Sequence, residues 1–198
     1  MDFKALRNRI ERINLHPDSE WEIIKNEPGY FWHFKNTVFP LTGFVALATF
    51  VGNLFIMRIY DYSFAYVLVK SFVSFIISFF CMFVPALMIN ELNELFSIEK
   101  NSHKVFKLFI YSFTAFWVAS IIAGIMANYN TLGKFIKLLG IYGVFPYWVG
   151  VSKVFGMNDN LKVRYVLVSL FIVLAVYILL NWSLGFFVKV VYYTTLAH

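Results

Sequence analysis

The sequence predicts an all-α fold: a polytopic membrane helix bundle of five transmembrane helices, with an N-terminal interfacial amphipathic helix ahead of them. Three observations predict it. Of 198 residues, 60% are hydrophobic and 14% charged, and the mean hydropathy is +0.69. Soluble domains run nearer half apolar and a quarter charged, and a chain this short has too much surface for its volume to hide the excess. Five charge-free stretches approach or exceed the roughly 20 residues a helix needs to cross a bilayer. Basic residues gather at the ends of those stretches, more heavily on one side than the other.

Residues 1–35 are expected to form a cytoplasmic or interfacial segment with two short helices. Over residues 3–15, Phe3, Leu6, Ile10 and Ile13 recur at spacings of three and four and so share one face. Lys4, Arg7, Arg9 and Arg12 occupy the rest, the pattern of a helix lying on anionic lipid. The same helix could instead dock on the cytoplasmic loops. In the second helix Pro17 suits a first turn, and Ser19 and Glu22 have capping-box spacing. Trp21 and Ile24 share a face, and Pro28-Gly29 ends the helix. Tyr30, Phe31, Trp32 and Phe34 read as an interfacial aromatic belt, with His33 an interfacial histidine and not a ligand. This stretch is polar, and no short apolar run with a small-residue cleavage site follows it, so no secretory leader is expected.

Residues 36–190 are expected to carry the spans. An ionised group at the bilayer centre is costly, which makes charge-free runs the signal. Asn36–Met57 lies between Lys35 and Arg58, and Ser71–Asn90 between Lys70 and Glu91, with a helix start near Tyr62. Leu108–Gly133 lies between Lys107 and Lys134, and Tyr165–Val188 between Arg164 and Lys189. Leu138–Ser152, between Lys137 and Lys153, is short, and reaches full span only if Lys134 and Lys137 snorkel outward. A re-entrant hairpin is the alternative there. Residues 191–198 are expected as a short C-terminal tail.

Lysine and arginine placement predicts orientation. With the N-terminus inside, the inside set is Lys4, Arg7, Arg9, Arg12, Lys25, Lys35, Lys100, Lys104, Lys107, Lys153, Lys162 and Arg164. The outside set is Arg58, Lys70, Lys134, Lys137 and Lys189. The positive-inside rule then predicts a multi-pass protein of the inner (plasma) membrane, with a cytoplasmic N-terminus and an extracytoplasmic C-terminus. The net charge of +6 reads as topology signal and anionic-lipid contact, and nucleic acid is not an expected partner.

Lipid tails are as apolar as leucine, so helices associate through close packing and a few polar contacts. Thr42, Ala46, Thr49 and Asn53 share a face of the first span, and Ser71, Ser74 and Ser78 a face of the second. Ala115, Ala119, Ala123 and Ala127 form a run in the third, and Gly140, Gly143 and Gly150 share a face of the fourth. Each stripe reads as a packing seam, or else as the lining of a polar pathway. Pro85 and Pro146 should kink the second and fourth spans. Asn181 reads as an interhelical hydrogen bond.

Reactive chemistry is sparse. Cys81, the single cysteine, reads as a core or lipid-facing thiol. His16, His33, His103 and His198 all fall outside the expected spans, and none has metal-ligand spacing to a cysteine or carboxylate. Glu91, Glu94, Glu99 and His103 read as a solvated helix end, although a carboxylate cation site is imaginable there. There is no P-loop, nucleophile elbow or HExxH. The spans hold no carboxylate, which argues against proton- or sodium-coupled transport. No enzyme, cofactor or metal site is expected.

Three passages resemble one known family. His16-Pro17-Asp18-Ser19-Glu20-Trp21-Glu22-Ile23-Ile24 through Glu27 resembles the N-terminal P-x-x-x-W-x-x-I-x-x-E segment of the bacterial branch of the Yip (Ypt-interacting protein) family. Tyr111-Ser112-Phe113-Thr114-Ala115-Phe116-Trp117 is similar to its Y-S-x-T-P-x-W segment in the third span. Leu138 through Gly143 with Tyr147-Trp148-Val149-Gly150 is similar to its fourth span. Ala115 stands where that family usually has proline, and Pro146 where proline is not typical. The resemblance implies five spans with the N-terminus inside. Eukaryotic members bind prenylated Rab GTPases in traffic between endoplasmic reticulum and Golgi, machinery that bacteria lack.

The expected function is a non-enzymatic integral membrane protein that organises membrane or binds lipid headgroups or a membrane or cytoplasmic protein partner. The contacts expected for it are Lys4, Arg7, Arg9, Arg12, Trp21 and Trp32, with Ala115, Ala119, Ala123, Gly140, Gly143 and Gly150 as packing residues. The alternative is a small permease or lipid-handling transporter with a site between the helices.

Overall fold

The structure, a computed structural model, describes residues 3–27, 29–59, 61–126 and 130–196. Pro28, Ala127 and His198, on which parts of the sequence reading fall, lie outside them. Helix α1 (Phe3–Leu15) is followed by α2 (Pro17–Ile24) and α3 (Tyr30–His33). A π turn at Phe34–Val38 carries α3 into α4 (Phe39–Ile56). α5 (Phe64–Leu92) ends in a 3-10 turn at Asn93–Phe96, and α6 (Ser102–Ser112) meets α7 (Thr114–Ile125) at Phe113. α8 (Asn130–Leu138) passes through a 3-10 turn at Leu139–Gly143 into α9 (Val144–Phe155), and α10 (Asp159–Leu196) closes the chain.

Among the described residues, five stretches are long and apolar enough to cross a membrane: Phe31–Ile56, Phe64–Phe96, Ser102–Ile125, Leu132–Phe155 and Asp159–Thr194. Each starts earlier than its charge-free core, because a basic residue near a span's edge can stay helical while its charge reaches water or a polar partner within the chain, as Lys107 does. The third therefore starts at Ser102, and Gly133 belongs to α8 instead of its end. The fourth has 24 residues, and α8 supplies the length that Leu138–Ser152 lacked. The first and third now include His33 and His103, so these two histidines do not lie outside the spans. α10 runs on through residues 191–196, expected as a tail; its 38 residues at about 1.5 Å each exceed the roughly 30 Å hydrocarbon core.

The ends of these helices follow local chemistry. Ser63 Oγ accepts from the Tyr66 amide at 3.1 Å and Asn101 Oδ1 from the Lys104 amide at 3.1 Å, capping α5 and α6. Gly156, at φ 65°, ends α9 in the left-handed region that glycine enters freely. The expected capping box at Ser19 and Glu22 does not form. His16 is the N-cap without a side-chain bond, and Ser19 Oγ donates to His16 O at 3.1 Å. Pro146 is the third residue of α9, directly after the 3-10 turn that interrupts the α-helix of the fourth span. α5 is continuous across Pro85. The third span breaks at Phe113 (φ −77°, ψ −6°) although alanine stands at position 115; there Thr114 Oγ1 donates to Tyr111 O at 2.7 Å.

α4 packs between α5 and α7, α10 lies on α5, and α9 lies on α6. Thr42, Thr49, Asn53, Ser71, Ser78, Ala119 and Ala123 are buried, as is Cys81. Gly124, outside the expected stripes, lets α7 approach α4 closely: a Cβ there would sit 2.9 Å from Thr49 N. Asn181 Nδ2 donates to Tyr177 O of its own helix at 2.8 Å, and not to a neighbour. The outer face of α10 is apolar and open, with Phe171 73%, Trp182 78% and Phe186 69% exposed, which suits lipid contact.

Candidate lipid and partner interface

The N-terminal helices dock on one end of the bundle. The seam is apolar: Leu6, Ile13, Trp21 and Ile24 are buried there. α2 lies on α9, and α1 reaches α6 and α7. Trp21 is fully buried and donates from Nε1 to Pro146 O at 2.8 Å. Gly150 makes room for it: a Cβ would fall 2.6 Å from Trp21 Cε2 and 2.5 Å from Leu108 Cδ1. Asn14 Nδ2 donates to Thr114 Oγ1 at 3.0 Å, and Tyr142 OH donates to Asn14 O at 2.6 Å. Gly143 and Gly140 fit against α6 and α7, where added Cβ atoms would lie 2.4 Å from Ser112 O and 3.0 Å from Phe116 Cα.

A charged network lies beneath this hairpin. Arg9 Nη1 meets Glu20 Oε1 at 2.9 Å, and Arg9 Nη2 meets Glu27 Oε1 at 2.5 Å. Burial works against the Arg9 charge, but Tyr111, Glu27 and Glu20 outweigh it, holding the guanidinium above its ordinary range. His33, fully buried, pairs Nδ1 with Tyr111 OH at 2.7 Å, and its Nε2 lies 3.6 Å from Glu27 Oε2. Lys107 Nζ donates to Ile24 O at 3.0 Å, Lys25 O at 3.1 Å and Glu27 O at 2.9 Å. One ammonium thus satisfies three carbonyls at the end of α2, the kind of cationic cap a helix C-terminus favours. At the rim, Glu22 pairs with Lys25 and with Lys153, the latter at 3.1 Å; these contacts hold its carboxyl below the usual range.

Several sequence-predicted contacts are therefore redistributed. Trp21 faces inward and holds the hairpin to the bundle, and Arg9 is taken up by ion pairs with Glu20 and Glu27 within the N-terminal segment. His33 is a buried hydrogen-bonding group and not an interfacial one. Lys4, Arg7 and Arg12 stay exposed on α1, and Trp32 is 59% exposed. Glu27 and Tyr111 stand at fixed positions of the family-like segments and Lys107 at the edge of an apolar run, but in sequence none of them, nor Glu20, reads as part of a charged network. Lys100 bridges Glu91 at 2.9 Å and Glu94 at 3.4 Å, as a solvated helix end would.

Along the free edge of α1 runs an open groove of about 420 Å³, lined by Phe3, Leu6, Ile10, Leu41, Phe44 and Val118, with Arg7 and Glu11. Its walls come from α1, α4 and α7. A second open groove of about 340 Å³, between α5 and α10, is lined by apolar side chains alone.

Fold and site together define a small polytopic α-helical membrane protein whose N-terminal hairpin is docked on one end of a five-helix bundle. The chain belongs to the Yip1-domain family: the family model for the Yip1 domain matches residues 12–180. That match opens in the last turn of α1 and runs into α10, so it takes in α2 and the first four spans and part of the fifth. No curated protein and no solved structure matches the chain.

Proposed function

We propose that this Yip-family chain is a non-enzymatic protein of the bacterial inner membrane that organises lipid through the exposed edge of α1. In this reading the N-terminus is cytoplasmic and the ligand is an anionic phospholipid of the adjoining leaflet. The observation that carries it is the groove beside α1, an apolar trough with a guanidinium at its rim. An acyl chain suits Phe3, Leu41, Phe44 and Val118, and a headgroup phosphate suits Arg7, with exposed Lys4 and Arg12 adding to the attraction. Docking makes the reading more specific than a helix adrift on lipid, because one wall of the trough belongs to the bundle.

The test uses the full chain in vesicles containing trace spin-labelled phosphatidylglycerol or phosphatidylcholine. The unmodified chain is expected to immobilise phosphatidylglycerol preferentially. K4E/R7E/R12E is expected to remove most of that preference while leaving the chain folded. An unchanged preference sinks the reading.

A further inference from the structure

The rim of the trough beside α1 carries both signs of charge. Arg7 and Glu11 line it together. They stand four residues apart on one helix, so their Cβ atoms lie about 6 Å from each other on the same face. Both are exposed. Among the described residues no ion pair includes either of them. Arg9 of the same helix differs, because Glu20 and Glu27 take up its guanidinium. Arg7 precedes Glu11, and a base ahead of an acid at this spacing is the less favourable order for an intrahelical pair. The two groups are therefore open to a ligand.

A carboxylate at this rim is out of place for a simple anion, because Glu11 repels a headgroup that carries nothing but negative charge. It suits a headgroup that puts a cation beyond its phosphate. In serine and ethanolamine headgroups an ester oxygen and two carbons separate phosphorus from the ammonium nitrogen, a reach that matches the spacing of Arg7 and Glu11. A primary ammonium offers three charge-assisted N–H donors to a carboxylate, whereas a choline nitrogen offers none. Serine fits the rest of the helix best. It bears a carboxylate beside its ammonium, and exposed Arg12 follows Glu11 in the chain. Phosphate, ammonium and carboxylate thus meet Arg7, Glu11 and Arg12, with each sign inverted.

We infer that the trough selects a phospholipid with a serine headgroup, its phosphate on Arg7, its ammonium on Glu11 and its carboxylate on Arg12. The inference rests on the reading of the trough as an anionic-phospholipid site and assigns the headgroup.

The experiment uses the full chain in phosphatidylcholine vesicles. These contain trace spin-labelled phosphatidylserine, phosphatidylglycerol, phosphatidylethanolamine or phosphatidylcholine with the same acyl chains. Phosphatidylserine should be retained about tenfold better than phosphatidylglycerol, the scale of one charge-assisted hydrogen bond. E11Q should bring phosphatidylserine down to the level of phosphatidylglycerol and leave phosphatidylglycerol preferred over phosphatidylcholine. If the unmodified chain retains phosphatidylserine and phosphatidylglycerol equally, both above phosphatidylcholine, the inference is overturned and the reading beneath it stands. An undiminished phosphatidylserine preference in E11Q has the same effect. No preference for phosphatidylglycerol over phosphatidylcholine overturns that reading and the inference with it. Phosphatidylethanolamine lacks the carboxylate and should fall below phosphatidylserine; equal retention overturns the serine headgroup. N-acetylated phosphatidylserine gives a readout that needs no variant, since it keeps phosphate and carboxylate and loses the cation. It should be retained no better than phosphatidylglycerol, and retention equal to that of phosphatidylserine overturns the part given to Glu11.

Discussion

At the scale of residues, the charges that looked alike in sequence divide into two kinds. Lys4, Arg7 and Arg12 stay at the surface, whereas Arg9 and Lys107 are consumed by internal contacts. Lys107 is only 5% exposed and holds three carbonyls of the α2 end. Replacing it by methionine keeps the stem and removes every donor, leaving those carbonyls to find water or go unpaired. We expect Lys107→Met to weaken docking of α2 by about 3 kcal/mol, on the order of one or two hydrogen bonds from a charged donor. Hydrogen exchange of the α2 amides checks this: about a hundredfold faster exchange is expected, and unchanged protection refutes the cap. Sequence could not separate the two kinds of cation. A lysine at a span's edge has the same pattern whether it meets lipid phosphate or a helix end folded back from eighty residues away.

At the scale of elements, the apolar runs were legible and their joints were not. A span announces itself by the absence of charge, which is a local property, so all five were found. Four of their starts were set five or six residues late, because charged side chains can extend a helix beyond its apolar core, while the second, expected near Tyr62, begins at Phe64. α8 shows this best, adding to the fourth span the turns that its lysines seemed to forbid. The glycines of that span were read as packing residues, but not what packs on them. At Gly150 it is Trp21, which crosses from α2 and ends at the Pro146 carbonyl. Gly150→Ala places a carbon into space already filled by an indole and a leucine, an overpacking that costs about 1–3 kcal/mol. We expect it to loosen the hairpin and leave the spans intact, so that limited proteolysis cuts between α2 and α4 before it cuts elsewhere. Equal resistance in the variant and the unmodified chain refutes Gly150 as the seat of Trp21.

At the scale of the whole molecule, the two ends of the bundle differ in chemistry. The hairpin end mixes cations with nearly all the carboxylates and ties many of them into ion pairs. The other end carries five basic residues against Asp61 alone. A net-charge argument would therefore misjudge the contrast, because pairing hides much of the hairpin end's charge. Topology is decided during insertion, however, before those pairs form, and acidic residues weigh little in it. What counts is the number of lysines and arginines flanking the spans, twelve at one end and five at the other. We therefore expect the hairpin end to be cytoplasmic and, with five crossings, the C-terminus to be extracytoplasmic. Alkaline phosphatase fused after His198 should be active, since it folds only outside the cytoplasm, and a fluorescent protein fused there should stay dark. Fluorescence with an inactive phosphatase would mean that one span does not cross. Leu132–Phe155 would be that span, because it has the lowest mean hydropathy of the five, 1.3, and carries Lys134 and Lys137 within its first turns. Fusions placed before α8 and after α9 identify it directly: opposite sides are expected, and the same side would turn the α8–α9 segment into a re-entrant hairpin.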